Sequence, residues 1–222
     1  METIESLLIG DYKIIQDTAL YRFTSDAVLL SRFVKAKRGE VVADFCSGSG
    51  IVGLHFYAEN TSIKSVTLFE MQKALAQLSE RTVALNRLEG VFTVENRRIQ
   101  DIPASYTEKF SLILCNPPYE KGGFVRANEN AAPCCKELTL TLPELCASAR
   151  RCLKFGGRFA LIHRADRLME VIYTLHKNGL EPKKLQFVAG KAGAEPYAVL
   201  VLAVKGGRAG SEILPTLING EK

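Results

Sequence analysis

Short apolar runs rich in β-branched residues alternate along the chain with segments of helical periodicity. The apolar runs predict seven strands, at 41–46, 65–70, 91–96, 110–115, 158–163, 185–189 and 197–204. The periodic segments predict helices at 71–88, 142–153 and 166–178, each with a glycine close behind its end. Such an alternation is typical of a mostly parallel sheet with helices on both faces, so the predicted fold class is α/β.

Length and apolar content predict one domain. The chain has 222 residues, of which 47% are hydrophobic. A chain of this size can bury one α/β core but hardly two, so residues 1–222 are predicted to form a single domain. No apolar run approaches the roughly 20 residues of a membrane span, and the first residues are acidic. We therefore expect a cytoplasmic protein without a membrane partner.

Charge and cysteine usage give only limited information about partners and metal binding. The formal net charge of +5 suits a polyanionic partner, although many proteins carry such an excess on a solvated surface. The six cysteines occur singly or as one adjacent pair, and the chain has three histidines. Without a C-x-x-C pair we expect no metal site and cysteines that are reduced and packed in the interior.

The first predicted strand ends in a glycine-rich loop at the edge where parallel sheets bind their ligands. Residues 48–53 have the spacing G-x-G-x-x-G of a nucleotide-type cofactor site. Asp44 precedes this loop, where its carboxylate would repel a dinucleotide pyrophosphate but favour the ammonium and sulfonium groups of S-adenosylmethionine. Gly48 and Gly50 then allow the backbone to approach that cofactor closely, and Cys46 lies in the same loop.

The second predicted strand ends at an acidic residue. Glu70 follows Gly50 by twenty positions, where a carboxylate can accept hydrogen bonds from both hydroxyls of a ribose. This role is common to nicotinamide and S-adenosylmethionine sites, so Glu70 indicates an adenosine-containing cofactor without choosing between them. Met71 or Gln72 could border the adenine.

The fourth predicted strand runs into Asn116-Pro117-Pro118-Tyr119, the most specific motif of the chain. An amino group on an aromatic ring is a poor nucleophile because its lone pair is delocalised. The side-chain carbonyl of Asn116 and the backbone carbonyl of Pro117 could each accept one of its N–H bonds, and the prolines would hold them in place. Tyr119 offers a ring for stacking a base. Asn116 is also expected to border the cofactor, since the methyl donor must lie behind the amine.

These residues carry a resemblance to a known family. With its N-P-P-Y motif the chain resembles the amino-group methyltransferases, and from Phe23 to the Lys205-Gly206-Gly207 turn it looks like the bacterial tRNA(Val) adenine-37 N6-methyltransferases. The resemblance implies a Rossmann-like class I methyltransferase with a seven-stranded sheet whose last strand is antiparallel. It implies S-adenosylmethionine as cofactor and tRNA as partner.

The resemblance also implies roles for residues outside the two motifs. Ser25 and Asp26 would open a helix at 27–33 and lie against the cofactor, although Asp26 could equally be an ordinary helix cap. The amino-terminal segment 1–36 would contribute to the site. Residues 120–140 would form a mobile substrate loop, in which Arg126 and Asn128 contact the RNA.

Three positions depart from the family pattern. Cys46 stands where relatives often have a glycine, and Ser111 replaces a common acid. No acid lies at the expected place after the third strand, so the contact to the adenine of the cofactor could come from Asp101, from Asn96 or from neither.

The predicted substrate must reach Asn116 outside a base stack. An anticodon loop offers such an unstacked base. His163, at the end of the fifth predicted strand, could border the substrate, although a buried histidine with a supporting role is the alternative. We expect a monomer or weak dimer, and a phosphate-contacting surface if enough of the basic residues share a face, as listed here: Arg97, Arg98, Arg126, Arg150, Arg151, Lys154, Lys183, Lys184, Lys191 and Arg208.

Four alternatives remain open from the sequence. The same motif serves methylation of a protein glutamine amide, as in enzymes acting on translation release factors. DNA or ribosomal RNA could replace tRNA without any change at the catalytic residues. A nicotinamide dehydrogenase is disfavoured by Asp44. A non-catalytic RNA-binding scaffold could keep the fold and bind RNA without transferring a methyl group.

Overall fold

The structure is a computed structural model that describes residues 1–7, 9–20, 24–117 and 140–220. Several predicted site residues lie outside these ranges, namely Pro118, Tyr119, Arg126 and Asn128, together with almost all of the predicted substrate loop at 120–140.

A central sheet of eight strands organises the described chain. Two further strands, β1 (Glu2–Ser6) and β2 (Lys13–Asp17), form a separate antiparallel pair. The strands of the central sheet are β3 (Val41–Phe45), β4 (Ser65–Glu70), β5 (Phe92–Asn96), β6 (Phe110–Cys115), β7 (Leu153–Arg164), β8 (Leu180–Ala189), β9 (Ala198–Lys205) and β10 (Glu212–Ile218). Their spatial order is β10-β8-β9-β7-β6-β3-β4-β5. Only β9 runs antiparallel to its neighbours in this sheet.

Helices cover both faces of the sheet. They are α1 (Ser25–Phe33), α2 (Ile51–Glu59), α3 (Lys73–Leu85), α4 (Leu142–Cys152) and α5 (Leu168–Lys177). Side chains of a strand point alternately to the two faces, so Val42 packs with α1 and α2 while Ala43 packs with α4 and α5. None of the described helices is long and apolar enough to cross a membrane.

The predicted fold class is confirmed, with one strand more than expected in the central sheet and the additional pair of β1 and β2. All seven predicted strands and all the predicted helices are present, and the strand at 197–204 is antiparallel as the resemblance implied. The eighth strand is β10, which pairs in parallel with β8 at the edge of the sheet. Strands β7 and β8 begin five residues earlier than predicted, at Leu153 and Leu180.

Helix α3 ends before the glycine that the sequence suggested as its stop. The backbone N–H of Leu88 donates to the carbonyl of Val83, and that of Arg87 donates to Ala84. This pair of bonds is a Schellman cap, which requires a left-handed residue after the helix. Arg87 takes that conformation, with φ 55°.

Candidate functional site

The carboxyl ends of three adjacent strands bring the predicted site residues together. Strand β3 lies between β4 and β6, with Phe45 paired to Phe69 on one side and to Cys115 on the other. The residues that follow these pairs, Cys46, Glu70 and Asn116, therefore line one edge of the sheet. We call the space above this edge the crevice.

The loop after β3 bends by means of three residues in the left-handed region. These are Cys46 with φ 57°, Gly48 with φ 57° and Gly50 with φ 85°. A side chain in this region costs about 1–2 kcal/mol, which a glycine at the position of Cys46 would avoid. Cys46 nevertheless adopts the geometry that the loop needs, so the departure from the family pattern does not distort the turn.

Asp44 is fully buried under this loop. Its Oδ2 accepts a hydrogen bond from the backbone N–H of Gly53 at 2.8 Å, and burial raises the pKa of its carboxyl to about 8. The Gly53 bond lowers the pKa and the nearby Glu70 raises it, but burial outweighs both. Asp44 is therefore largely protonated at neutral pH, and a cationic group beside it would favour its ionised form.

Glu70 ties the end of β4 to the glycine loop. Its Oε2 accepts from the backbone N–H of Gly48 and its Oε1 from that of Gln72, each at 2.8 Å. Burial raises the pKa of Glu70, and these hydrogen bonds oppose the rise. Each carboxylate oxygen keeps a second lone pair, so both can still accept from ribose hydroxyls.

Asn96 and Asp101, the two candidates for contacting the cofactor adenine, have different surroundings at the end of β5. Asn96 uses its side-chain NH₂ to donate to the backbone carbonyls of Glu70 and Met71, at 2.8 and 3.1 Å. Asp101 ends a short 3₁₀ turn, Ile99–Asp101, and is exposed. Met71, which follows Glu70, is 39% exposed. Asn96 thus fixes the end of β4, and Asp101 has the more accessible side chain.

Asn116 follows β6 directly and is half-buried, and Pro117 behind it is buried. The side-chain oxygen of Asn116 is inaccessible to solvent and has no hydrogen-bond partner among the described residues. A buried acceptor without a donor is costly unless a ligand satisfies it.

Two more buried polar atoms without a hydrogen-bond partner among the described residues lie at the end of the neighbouring strand. They are Oδ1 of Asp44 and Oγ of Ser47, both buried and without a partner in the described part of the chain. Together with the Asn116 oxygen they leave acceptors around the glycine loop that a cationic, hydroxyl-bearing cofactor could satisfy. The residues of the crevice therefore fit S-adenosylmethionine.

A polar network at the first turn of α1 was missed from the sequence. The hydroxyl of Tyr197 donates to Oδ1 of Asp26 at 3.3 Å, and the amide of Asn219 donates to Tyr197 and to Oγ of Ser25 at 2.8 and 2.9 Å. Tyr197 precedes β9 and Asn219 follows β10, so both lie at the same edge as the crevice. The signal available in the sequence was Tyr197 at a strand end.

His163 lies at the end of β7 and is only 2% exposed. Its Nδ1 accepts the backbone N–H of Arg164 at 2.9 Å, which places the ring proton of the neutral form on Nε2. The structure thus positions His163 as a buried residue at the ligand edge of the sheet.

The described cysteines form no disulfide, and three of the four are buried. Burial raises the pKa of Cys115, Cys146 and Cys152, which makes these thiols unreactive. Cys134 and Cys135 lie outside the described residues. Within the described ranges, no three His, Cys, Asp or Glu side chains group closely enough to hold a metal ion.

A parallel sheet of this order, ending in a glycine loop with Asp44, Glu70 and Asn116 around it, defines a Rossmann-like class I methyltransferase. The sequence model of the methyltransferase small domain family matches residues 24–178, which is more than half of the chain. The chain belongs to this family, whose members take the methyl group from S-adenosylmethionine.

Relatives and solved structures agree with this assignment. The chain is 26% identical over 160 residues to the tRNA1(Val) (adenine(37)-N6)-methyltransferase of Shewanella putrefaciens, covering 71% of this chain and 66% of that protein. It is 27% identical over 173 residues to the ribosomal RNA small subunit methyltransferase C of Actinobacillus pleuropneumoniae, covering 74% of this chain but 46% of that protein. The crystal structure of a predicted O-methyltransferase from Agrobacterium tumefaciens has the same fold, with a TM-score of 0.69, 22% identity, and coverage of 87% of this chain and 86% of that one.

Proposed function

We propose that this protein transfers the methyl group of S-adenosylmethionine to the exocyclic amino group of an adenine in tRNA. The target would be position 37, in the anticodon loop of tRNA(Val). The protein would act in the cytoplasm as a monomer or weak dimer, with residues 1–222 as one catalytic domain.

The observation that carries the proposal is the buried, unpartnered oxygen of Asn116 at the end of β6. It is an acceptor held at the ligand edge without a donor from the described chain. An adenine amino group supplies such a donor, and its second N–H would meet the backbone carbonyl of Pro117. Two acceptors that take one N–H each would direct the nitrogen lone pair towards the methyl donor.

The chemistry then needs no strong base. Bound in the crevice, S-adenosylmethionine supplies an electrophilic methyl group on its sulfonium. As the N–C bond forms and the C–S bond breaks, the amine nitrogen becomes positively charged and loses a proton to water. Asn116 and Pro117 stabilise the charge that develops on the two N–H groups, which is greater in the transition state than in the substrate.

The cofactor contacts belong to the same proposal. Glu70 would accept from the ribose, Met71 would border the adenine, and Asp44 would lie beside the ammonium end. Cys46, Gly48 and Gly50 would supply the backbone of the pocket. Asp101 and Asp26 would contact the cofactor from either side. Tyr119, Arg126, Asn128 and His163 would contact the RNA.

Two kinds of RNA have to be distinguished. The names of relatives support tRNA, since the first seven similar proteins are tRNA1(Val) (adenine(37)-N6)-methyltransferases. A ribosomal RNA methyltransferase also aligns, but over less than half of its own length. Because the chain aligns with a larger share of each tRNA methyltransferase than of the ribosomal RNA methyltransferase, tRNA is favoured as the substrate.

The test is methyl transfer to defined RNA. The protein is incubated with radiolabelled S-adenosylmethionine and either unmodified tRNA or unmodified ribosomal RNA, and the nucleosides are separated. We expect label in N6-methyladenosine from tRNA. Asn116→Ala should lower kcat by about 100-fold or more while the Kd for the cofactor changes less than about twofold.

Asn178→Ala is the matched control, because Asn178 caps the end of α5 at the opposite edge of the sheet and its loss should leave transfer intact. Label in ribosomal RNA alone would replace tRNA as substrate. Full activity of Asn116→Ala would refute the site, and tRNA binding without any transfer would favour the non-catalytic scaffold.

A further inference from the structure

A groove of about 300 Å³ lies at the edge of the sheet opposite the crevice. Its rim carries Lys37, Arg38, Lys154 and Phe155, and its floor includes Glu40 and Arg158. We call this the basal groove. It lies where β3 and β7 begin, whereas the crevice lies where the parallel strands end. At about 3.3 Å per residue, the length of β7 from Lys154 to Arg164 separates the two edges by roughly 30 Å.

The floor of the basal groove is electrically balanced. The guanidinium of Arg158 donates to both carboxylate oxygens of Glu40, at 2.8 and 2.7 Å, and to the carbonyl of Lys35 at 3.0 Å. The pair is largely buried, with 14% of the Arg158 side chain and 6% of the Glu40 side chain exposed. Glu40 is therefore already neutralised and does not offset the cations of the rim.

The positive charges on the rim of the basal groove are not balanced by acidic partners among the described residues. The side chains of Lys37, Arg38 and Lys154 make no ion pair and no hydrogen bond with the described residues. Two arginines at the crevice edge differ from them, because Arg97 pairs with Glu95 and Arg164 with Asp166. Three exposed, unpaired cations around one depression attract a polyanion.

Several of the basic residues that the sequence suggested for RNA contact make other interactions. Lys183 donates to the backbone carbonyls of Arg208 and Gly210, and Lys184 pairs with Glu212. Arg151 donates to backbone carbonyls after β5. Of that set, the described groove contains Lys154. The three-cation cluster forms only because α1, β3 and β7 meet at this edge.

An aromatic ring stands beside the cations. Phe155 is 79% exposed, and its ring packs on Gly206, where an added Cβ would lie 2.8 Å from Cζ of Phe155. The ring is thus supported from below by a residue without a side chain and is open above. Exposed aromatic rings next to cations are the combination with which proteins bind nucleic acid strands, by stacking on bases and pairing with phosphates.

We propose that the basal groove is a second RNA-binding site, in which Lys37, Arg38 and Lys154 contact backbone phosphates and Phe155 stacks on a base. This proposal rests on the proposed function for the identity of the RNA. A single ring among cations does not form the continuous apolar patch that a protein partner uses. The roughly 30 Å between groove and crevice means that only an RNA larger than the methylated loop can contact both.

The first test compares two RNAs. A variant that combines Lys37→Ala, Arg38→Ala and Lys154→Ala is assayed with whole tRNA and with the isolated anticodon stem-loop. For whole tRNA we expect the Kd to rise about 10-fold near 0.15 M salt, and the slope of log Kd against log salt to fall by roughly 2–3. The stem-loop Kd, the cofactor Kd and kcat should stay unchanged. A charge-matched control combines Lys13→Ala, Arg87→Ala and Lys177→Ala, and should weaken tRNA binding by less than about threefold.

The second test addresses the ring. Phe155→Ala should raise the Kd for whole tRNA by about fivefold or more, and Phe155→Trp should restore it, because stacking needs an aromatic surface. Melting temperatures of all variants establish that they are folded.

Equal losses in the groove and control variants would overturn the proposal, as would equal losses for tRNA and stem-loop. Tight binding of free AMP in the groove, with tRNA affinity unaffected by the triple variant, would also overturn it. Binding of fluorescently labelled tRNA is measured without methyl transfer. A groove-dependent Kd in a protein that methylates no tRNA would therefore support the groove and refute the proposed function.

Discussion

The backbone N–H of Gly53 donates to the buried carboxyl of Asp44 at 2.8 Å, and this bond ties the first turn of α2 to the end of β3. A residue with a side chain could not make the same approach. A Cβ at Gly53 would lie 2.6 Å from Cδ2 of Leu68 and 3.3 Å from Oδ2 of Asp44. The close contact of helix and strand therefore depends on glycine at this position.

Gly53→Ala should destabilise the fold and weaken cofactor binding together. The added methyl group has to displace Leu68 and Asp44 inside a packed core, which costs about 1–3 kcal/mol. Urea denaturation measures the free energy of unfolding, and titration measures the Kd for S-adenosylmethionine. Gly90→Ala is the control, because a Cβ there meets no atom within 4 Å. Equal stability of the two variants would contradict this account of Gly53.

Cofactor binding should release a proton from Asp44. Its pKa is about 8 in the protein without ligand because the carboxyl is buried, so at pH 7 the group is mostly neutral. The ammonium of S-adenosylmethionine beside it would favour the ionised form, so cofactor binding should release most of one proton. Calorimetric titration at pH 7 in two buffers of different ionisation enthalpy gives this number. Asp44→Asn should release none, whereas Glu89→Gln, at an exposed position before β5, should behave like the unaltered protein.

The same carboxyl gives a stability profile without cofactor. Burial raises its folded pKa above the ordinary value of 3.8, so the folded state holds the proton more tightly than the unfolded chain. This contribution to stability is complete below about pH 4 and is lost as the pH rises towards 8. Asp44→Asn should remove that part of the slope. Parallel pH profiles of the free energy of unfolding for variant and parent protein would refute the raised pKa.

Arg87→Gly should stabilise the protein without touching the crevice. Arg87 has φ 55° in the Schellman cap of α3, and a side chain there costs about 1–2 kcal/mol that glycine avoids. Loss of chain entropy offsets part of the gain, so we expect about 0.5–1 kcal/mol of net stabilisation by urea denaturation. Arg81→Gly, in the interior of the same helix, should be destabilising. A destabilised Arg87→Gly would show that the side chain matters more than its backbone.

The sequence was sufficient to predict the strands that carry the crevice. It was not sufficient to predict β1, β2 and β10, which lie outside the centre of the sheet. Strand β6 lies in the centre of the sheet and is apolar at every position except Ser111, so its pattern is clear. Strand β10 is largely exposed and contains Pro215, which in sequence argues against a strand and is tolerated here because β10 lies at the edge. The hairpin of β1 and β2 is likewise polar on much of its surface.

The site residues also divide into those that could be predicted from the sequence and those that could not. Asp44, Glu70 and Asn116 could be located from the sequence because each lies in or directly after the last residues of a predicted strand. The network around Ser25 and Asp26 could not, since Asn219, which donates to Ser25 and Tyr197, reaches the crevice edge only through β10. The basal groove was equally inaccessible, because Lys37 and Lys154 come from distant segments that only the sheet order brings together.

Tyr197→Phe should weaken cofactor binding without unfolding the protein. The hydroxyl of Tyr197 holds the first turn of α1 through Asp26 and also accepts from Asn219, so its removal frees the amino end of the helix that is expected to lie against the cofactor. Loss of a hydrogen bond to a carboxylate costs about 1–2 kcal/mol, which corresponds to a rise of roughly 5- to 30-fold in the Kd for S-adenosylmethionine. Tyr173→Phe is the matched control, because Tyr173 is 65% exposed on α5 and its hydroxyl has no hydrogen-bond partner in the described chain. If both variants bind the cofactor like the parent protein, the network at α1 supports the fold and not the site.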